Sequence, residues 1–133
     1  MMDFFLPEPS EARLPPHEVC LRKLQITPLE NGSRVKIYLE LSPFQTRPNV
    51  EATIFTATGK RVAYCNILEA STYKMEFTMH LRPATPGCDY RFEACVYYQK
   101  LPEPGEIGVD VPIPDPLVVD RREVTFTLPL QTT

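Results

Sequence analysis

Nucleophilic catalysis or a zinc site would have to be built from two histidines, His17 and His80, and four cysteines, Cys20, Cys65, Cys88 and Cys95. A nucleophile needs a base beside it and an orienting group behind that base. His80 alternates with Lys74, Glu76 and Thr78, the pattern of an exposed histidine on a polar strand face. His17 sits among prolines and reads as solvated. Cys95 falls on the outward side of its segment with Glu93 and Tyr97. A reactive thiol needs neighbouring positive charge to lower its pKa, and only Arg91 is expected on that side. No C-x2-C pair exists, so zinc is not expected. Glu103, Glu106, Asp110 and Asp115 could together meet a calcium ion, but their spacing does not match an EF-hand loop. Carboxylate pairs for glycoside chemistry are too common in an acidic chain to single any out. No glycine-rich phosphate loop is present. The expectation is a non-enzyme with no catalytic residue, no metal and no cofactor.

The chain has 133 residues, 14 Lys+Arg against 17 Asp+Glu, and a formal charge of −3. That length suits one domain with an adequate core. The negative balance argues against nucleic acid, whose phosphates call for a basic patch. Fifteen prolines make the chain a poor helix former throughout. The start, MMDFFLPEPSEARLPPHE, has an acidic residue before a very short apolar run, unlike a secretory signal. No apolar run approaches the roughly 20 residues of a membrane span. A cytoplasmic protein with no membrane contact and reduced cysteines is therefore expected, with disulfide pairing left open.

The supporting elements read as strands. Residues 19–27 form a first strand, whose apolar positions change parity between Leu21 and Leu24 and so predict a bulge. Asn31-Gly32 marks a turn. Residues 34–42 alternate, with Val35, Ile37, Leu39 and Leu41 on one side. Residues 49–56 put Val50, Ala52 and Ile54 inward and Glu51, Thr53 and Phe55 outward. Residues 61–68 form a fourth strand whose facing the pattern does not assign. Residues 74–81 turn Met75, Phe77, Met79 and Leu81 inward, and residues 89–98 do so with Tyr90, Phe92, Ala94, Val96 and Tyr98. A last strand covers about 118–128, with Val124, Phe126 and Leu128 inward. Two stretches break the rhythm: residues 1–17, an extended Pro-rich arm carrying Phe4, Phe5 and Leu6, and the Pro-rich loop 99–117. Seven short strands at this spacing predict an all-β, antiparallel sandwich over residues 18–130.

The segment Leu81 to Val96, LRPATPGCDYRFEACV, carries a more specific signal. Pro86, Gly87 and Tyr90, followed by inward Phe92, Ala94 and Val96, resemble the corner and following strand of fibronectin type III and immunoglobulin-like domains. The chain departs from that pattern at Ala84, where leucine is usual, and in having no Trp. As a whole it is also similar to small bacterial sandwich proteins with no assigned activity. The resemblance implies a seven-stranded sandwich in which the Tyr90 hydroxyl bonds upstream backbone. It also implies that the third, sixth and seventh strands share a sheet.

On that arrangement Phe55 and Tyr97 both point outward, near Cys95, Thr125 and Thr127. Clustered outward aromatics mark binding surfaces. The candidate surface is therefore Phe55 and Tyr97, joined by Leu101, Ile107, Val109, Val111 and Ile113 of the long loop. The functional expectation is a non-catalytic protein-interaction or assembly module. A carbohydrate- or small-ligand-binding sandwich is the alternative, disfavoured by the missing Trp. The partner is expected to be a protein. A homodimer is an open expectation, because the last strand has no proline after residue 117 until its end and can pair with a second copy.

Overall fold

A computed structural model describes residues 12–29, 33–82, 84–99 and 115–129. After a short 3-10 turn at Pro16–Glu18 come seven strands. They are β1 (Leu21–Pro28), β2 (Arg34–Leu41), β3 (Asn49–Thr56), β4 (Arg61–Ile67), β5 (Lys74–His80), β6 (Asp89–Tyr98) and β7 (Leu117–Thr127). They form two antiparallel sheets, ordered β1-β2-β5 and β4-β3-β6-β7. The molecule is an all-β sandwich, as the alternating sequence predicts.

The core follows from that alternation. Val35, Ile37, Leu39 and Leu41 of β2 face Val50, Ala52 and Ile54 of β3 and Phe92, Ala94 and Val96 of β6, and all are essentially inaccessible to solvent. The expected bulge in β1 is present as a register shift between Leu21 and Lys23. A second shift falls between Ile54 and Phe55 of β3, so that Ala63 and Arg61 are consecutive partners and Val62 is extra. Val62 joins the core, which is why the facing of this strand defeats simple alternation. Gly59, at positive φ, makes the turn between β3 and β4.

Of the N-terminal arm, residues 12–17 are described. Leu14 bridges to Phe44, donating its N–H to the Pro43 carbonyl and accepting from Gln45 N–H. Phe4, Phe5 and Leu6 lie outside the described residues, as does most of the 99–117 loop.

The corner before β6 is built as its residues require. Gly87, also at positive φ, turns the chain. Tyr90 is buried and stacks on Phe126, and Thr85 N–H donates to its Oη at 2.9 Å. Tyr90→Phe keeps the ring and removes the acceptor. Its expected cost is about 1 kcal/mol, read as a lower urea midpoint with unchanged slope.

The two long sides of the sandwich are finished differently. On the β1–β7 side, Leu21 N–H donates to Asp120 Oδ2 at 2.7 Å, and Arg122 Nη2 donates to the Leu21 carbonyl at 2.6 Å. These side chains close the gap between the sheets at the β1 bulge. On the other side, β4 and β5 do not pair, and Ala63, Cys65, Ile67, Met75 and Phe77 remain half-buried at the margin of the core.

Candidate binding face

The two outer faces differ in chemistry. The three-stranded sheet presents Lys36, Tyr38 and Glu40 of β2 and Lys74, Glu76, Thr78 and His80 of β5. Lys23 lies over the Tyr38 ring at 5.7 Å and Lys74 meets Glu40 at 3.5 Å. This is a solvated, charge-paired surface. His80 is exposed there, opposite Arg34, and His17 is exposed beside Glu18.

The four-stranded sheet presents rows fixed by its register. One row runs Arg61, Phe55, Arg91, Thr125. The next is Tyr64, Thr53, Glu93, Glu123, and the third is Asn66, Glu51, Cys95, Arg121. At the far end Tyr97 stands between Asn49 and Val118. Phe55 and Tyr97 thus share the face, as expected, but stand at opposite ends of it. Six residues of extended strand separate their rows, about 20 Å. They are not one cluster.

Each end has its own chemistry. The Arg91 guanidinium sits 4.6 Å from the Phe55 ring centroid, capping it with a cation–π contact. Tyr97 donates its hydroxyl to Asn66 Oδ1 at 3.1 Å. Tyr64 donates to Glu51 Oε2 at 2.8 Å, and that bond to an anionic acceptor raises its pKa. Tyr98 donates to the Thr46 carbonyl at 2.7 Å, and partial burial raises its pKa.

Cys95 is 8% exposed although it lies on the outer face. Arg121, its register partner, covers it with Nη2 3.9 Å from the sulfur. Contact with Cys95, ahead of the Glu93 carboxylate, raises the Arg121 pKa. The basic neighbour of Cys95 is therefore Arg121 rather than Arg91, which stands two rows away opposite Phe55. Thr125 and Thr127 accompany Arg91 and Asp89, not Cys95. The sequence could not reveal this, because the long loop before β7 and a register shift between Val96 and Tyr97 hide which residues pair.

Among the described residues three large apolar side chains are exposed: Tyr64 at 47%, Leu68 at 67% and Val118 at 43%. Tyr64 and Val118 stand on the outer face of the four-stranded sheet, and Leu68 directly follows β4 at its end. Alternation missed all three, since exposure depends on which neighbours are large. Leu101, Ile107, Val109, Val111 and Ile113 lie outside the described residues. All four cysteines are free thiols. Among the described residues no group of three His, Cys, Asp or Glu is placed to hold a metal ion. An open groove runs from the end of β4 to β5, lined by Ile67, Ala70, Ser71, Thr72, Met75 and Phe77 and by the charged Lys74 and Glu76. No helix among the described residues is long and apolar enough to cross a membrane.

No family model matches the chain, and no curated protein matches it. Solved structures do. A glycosyl hydrolase family 2 member from Bacteroides cellulosilyticus superposes with a TM-score of 0.52 at 11% identity, covering 83% of this chain and 14% of that one. A family 2 member from Bacteroides cellulosilyticus DSM 14838 gives a TM-score of 0.50 at 12% identity, covering 83% of this chain and 15% of that one. At such identities the likeness is one of fold. The chain corresponds to a small part of each of these long enzymes.

Proposed function

We propose that this domain is a non-catalytic protein-interaction or assembly module that binds through the outer face of its four-stranded sheet. The observation that carries this reading is the asymmetry of exposed apolar surface. Among the described residues the exposed large apolar side chains, Tyr64, Leu68 and Val118, lie on or beside this sheet and none on the other, although this face too carries ion pairs, Arg91–Glu93 and Arg121–Glu93. Exposed apolar groups on one face, with polar groups between them, are the composition of an interface. We read the sandwich as fibronectin-III/immunoglobulin-like, on its strand order and on the Tyr90 corner.

The test is capture of a stoichiometric protein partner by the tagged chain. Val118→Arg is expected to lower capture at least tenfold, while Thr78→Arg on the charged sheet leaves it intact. Equal capture by both variants would refute this choice of face.

A second reading is favoured by the likeness to parts of glycosyl hydrolase family 2 chains. On it, the sandwich is an accessory module in carbohydrate-active proteins, with Tyr64 and Tyr97 as stacking surfaces. A glycan panel read by thermal shift separates the two, since a bound sugar raises the unfolding midpoint.

A further inference from the structure

We propose that β4 is a docking edge for a second copy of this chain, pairing antiparallel with its own counterpart about a two-fold axis at Cys65. This goes beyond the interaction reading above: the contact is the backbone edge of β4, at the opposite side of the sheet from Val118.

Exposed strand edges attract other strands unless something blunts them. The β1 and β7 edges are blunted. Asp120 Oδ2 and Arg122 occupy the backbone of Leu21, and Asp120 Oδ1 accepts the N–H of Arg121, capping β7 itself. The charged run Arg121, Arg122, Glu123 adds to that block. Self-pairing through β7, the route its sequence invites, is thus obstructed along this stretch. On β4, among the described residues, only the Val62 carbonyl is taken, by Arg82 N–H, and no side chain caps the edge from Ala63 to Ile67. It contains no proline, and between Arg61 and Ile67 it has no charge.

Its hydrogen-bonding phase can be followed. The Lys60 carbonyl accepts from Thr56 N–H and so points at β3. The extra residue Val62 reverses the phase, and its carbonyl accepts from Arg82 N–H on the opposite side. Alternation from there aims Ala63, Cys65 and Ile67 at β3. It leaves the N–H and C=O of Tyr64 and Asn66 on the free edge.

A second β4, antiparallel and centred on Cys65, complements this edge. Tyr64 of each copy exchanges both backbone bonds with Asn66 of the other. Tyr64 gains Tyr64 of the second copy as a diagonal neighbour on the outer face, about 7–8 Å away. Tyr64, one of the exposed large apolar residues, is then covered between the copies. The two Cys65 residues form a cross-strand pair outside the hydrogen-bonded rings, with Cα atoms about 4.5 Å apart. That is within disulfide range.

The experiment is sedimentation of the full chain over rising concentration, because so short an interface is a weak one. The expected result is an apparent mass that climbs toward twice the monomer's. Asn66→Pro deletes an edge N–H, and Tyr64→Lys sets like charges beside each other at the axis. Each should hold the chain monomeric, and Tyr64→Lys changes an exposed side chain should the proline variant not fold. A chain carrying Cys20→Ser, Cys88→Ser and Cys95→Ser should give a covalent dimer with diamide, and adding Cys65→Ser should abolish it. A wild-type chain that stays monomeric, or a dimer that Tyr64→Lys leaves intact, overturns the inference. A dimer broken by Tyr64→Lys that does not cross-link overturns the register centred on Cys65. A monomer that still loses a captured partner through Val118→Arg sinks self-pairing alone and leaves the assembly reading standing.

Discussion

Phe92→Ala will cost about 3–5 kcal/mol of folding stability, the range for removing a fully buried aromatic ring. Phe92 is the largest side chain with no solvent exposure, at the middle of β6 between Ile54 of β3 and Val124 of β7. Backbone pairing on both sides holds that strand, so neighbouring layers have little freedom to collapse into the vacated space. Against a typical total of about 5–15 kcal/mol, the loss is a large fraction of what keeps a domain folded. Urea denaturation is the measurement, with a lower midpoint and an unchanged slope expected. Phe92→Leu, which retains most of the volume, should lose far less. A loss below about 1 kcal/mol for the alanine variant would mean that the two sheets close around the gap, contrary to a core fixed by pairing.

Asp120→Ala will cost about 2 kcal/mol, within the range for leaving a buried donor without its charged acceptor. The donor is the N–H of Leu21, a residue whose side chain is buried at the β1 bulge. There the strand's regular pairing with β2 is interrupted, so no neighbouring carbonyl can take over. Arg122 holds the other backbone group of the same residue, so the two side chains act on one peptide segment. Their effects should therefore not add, and a double-mutant cycle with Arg122→Met measures the coupling. Amide exchange supplies a local readout. Leu21 should lose protection in Asp120→Ala while the amides of Phe92 and Ala94 keep theirs. If Leu21 protection is unchanged, water has replaced the carboxylate and the contact is ornamental to stability.

How much of this was legible in the sequence differs by strand. The inward sets of β2, β3 and β6 follow from a period of two, because each is an interior strand with core on one side and a paired neighbour on each edge. The β1 bulge was legible too, since the step from Leu21 to Leu24 breaks parity. β4 was not, because Val62 is an inserted residue and parity is lost at its first turn of pattern. The binding face was legible only as a side. Alternation says that Phe55 and Tyr97 point outward, but not that six residues of strand lie between their rows. The pairing of Arg121 with Cys95 is set by a register across a long connection, and no local pattern encodes it. Asp120 and Arg122 are charged residues at inward-facing positions of β7, opposite Val96 and Ala94. In a sequence they look like interruptions of a strand. In the structure they finish the fold, because β1 offers them backbone rather than side chains.

The contacts between Leu21 and the Asp120–Arg122 stretch join positions 99 and 101 residues apart. Nearly the whole domain must be in order before they can form, and the entropy of closing so long a loop is lost first. They belong to the native state more than to the barrier that precedes it. Weakening them should leave the rate of folding nearly unchanged and hasten unfolding instead. The seam between the first and last strands thus acts as a late-closing latch, setting how long the folded chain lasts rather than how quickly it is reached.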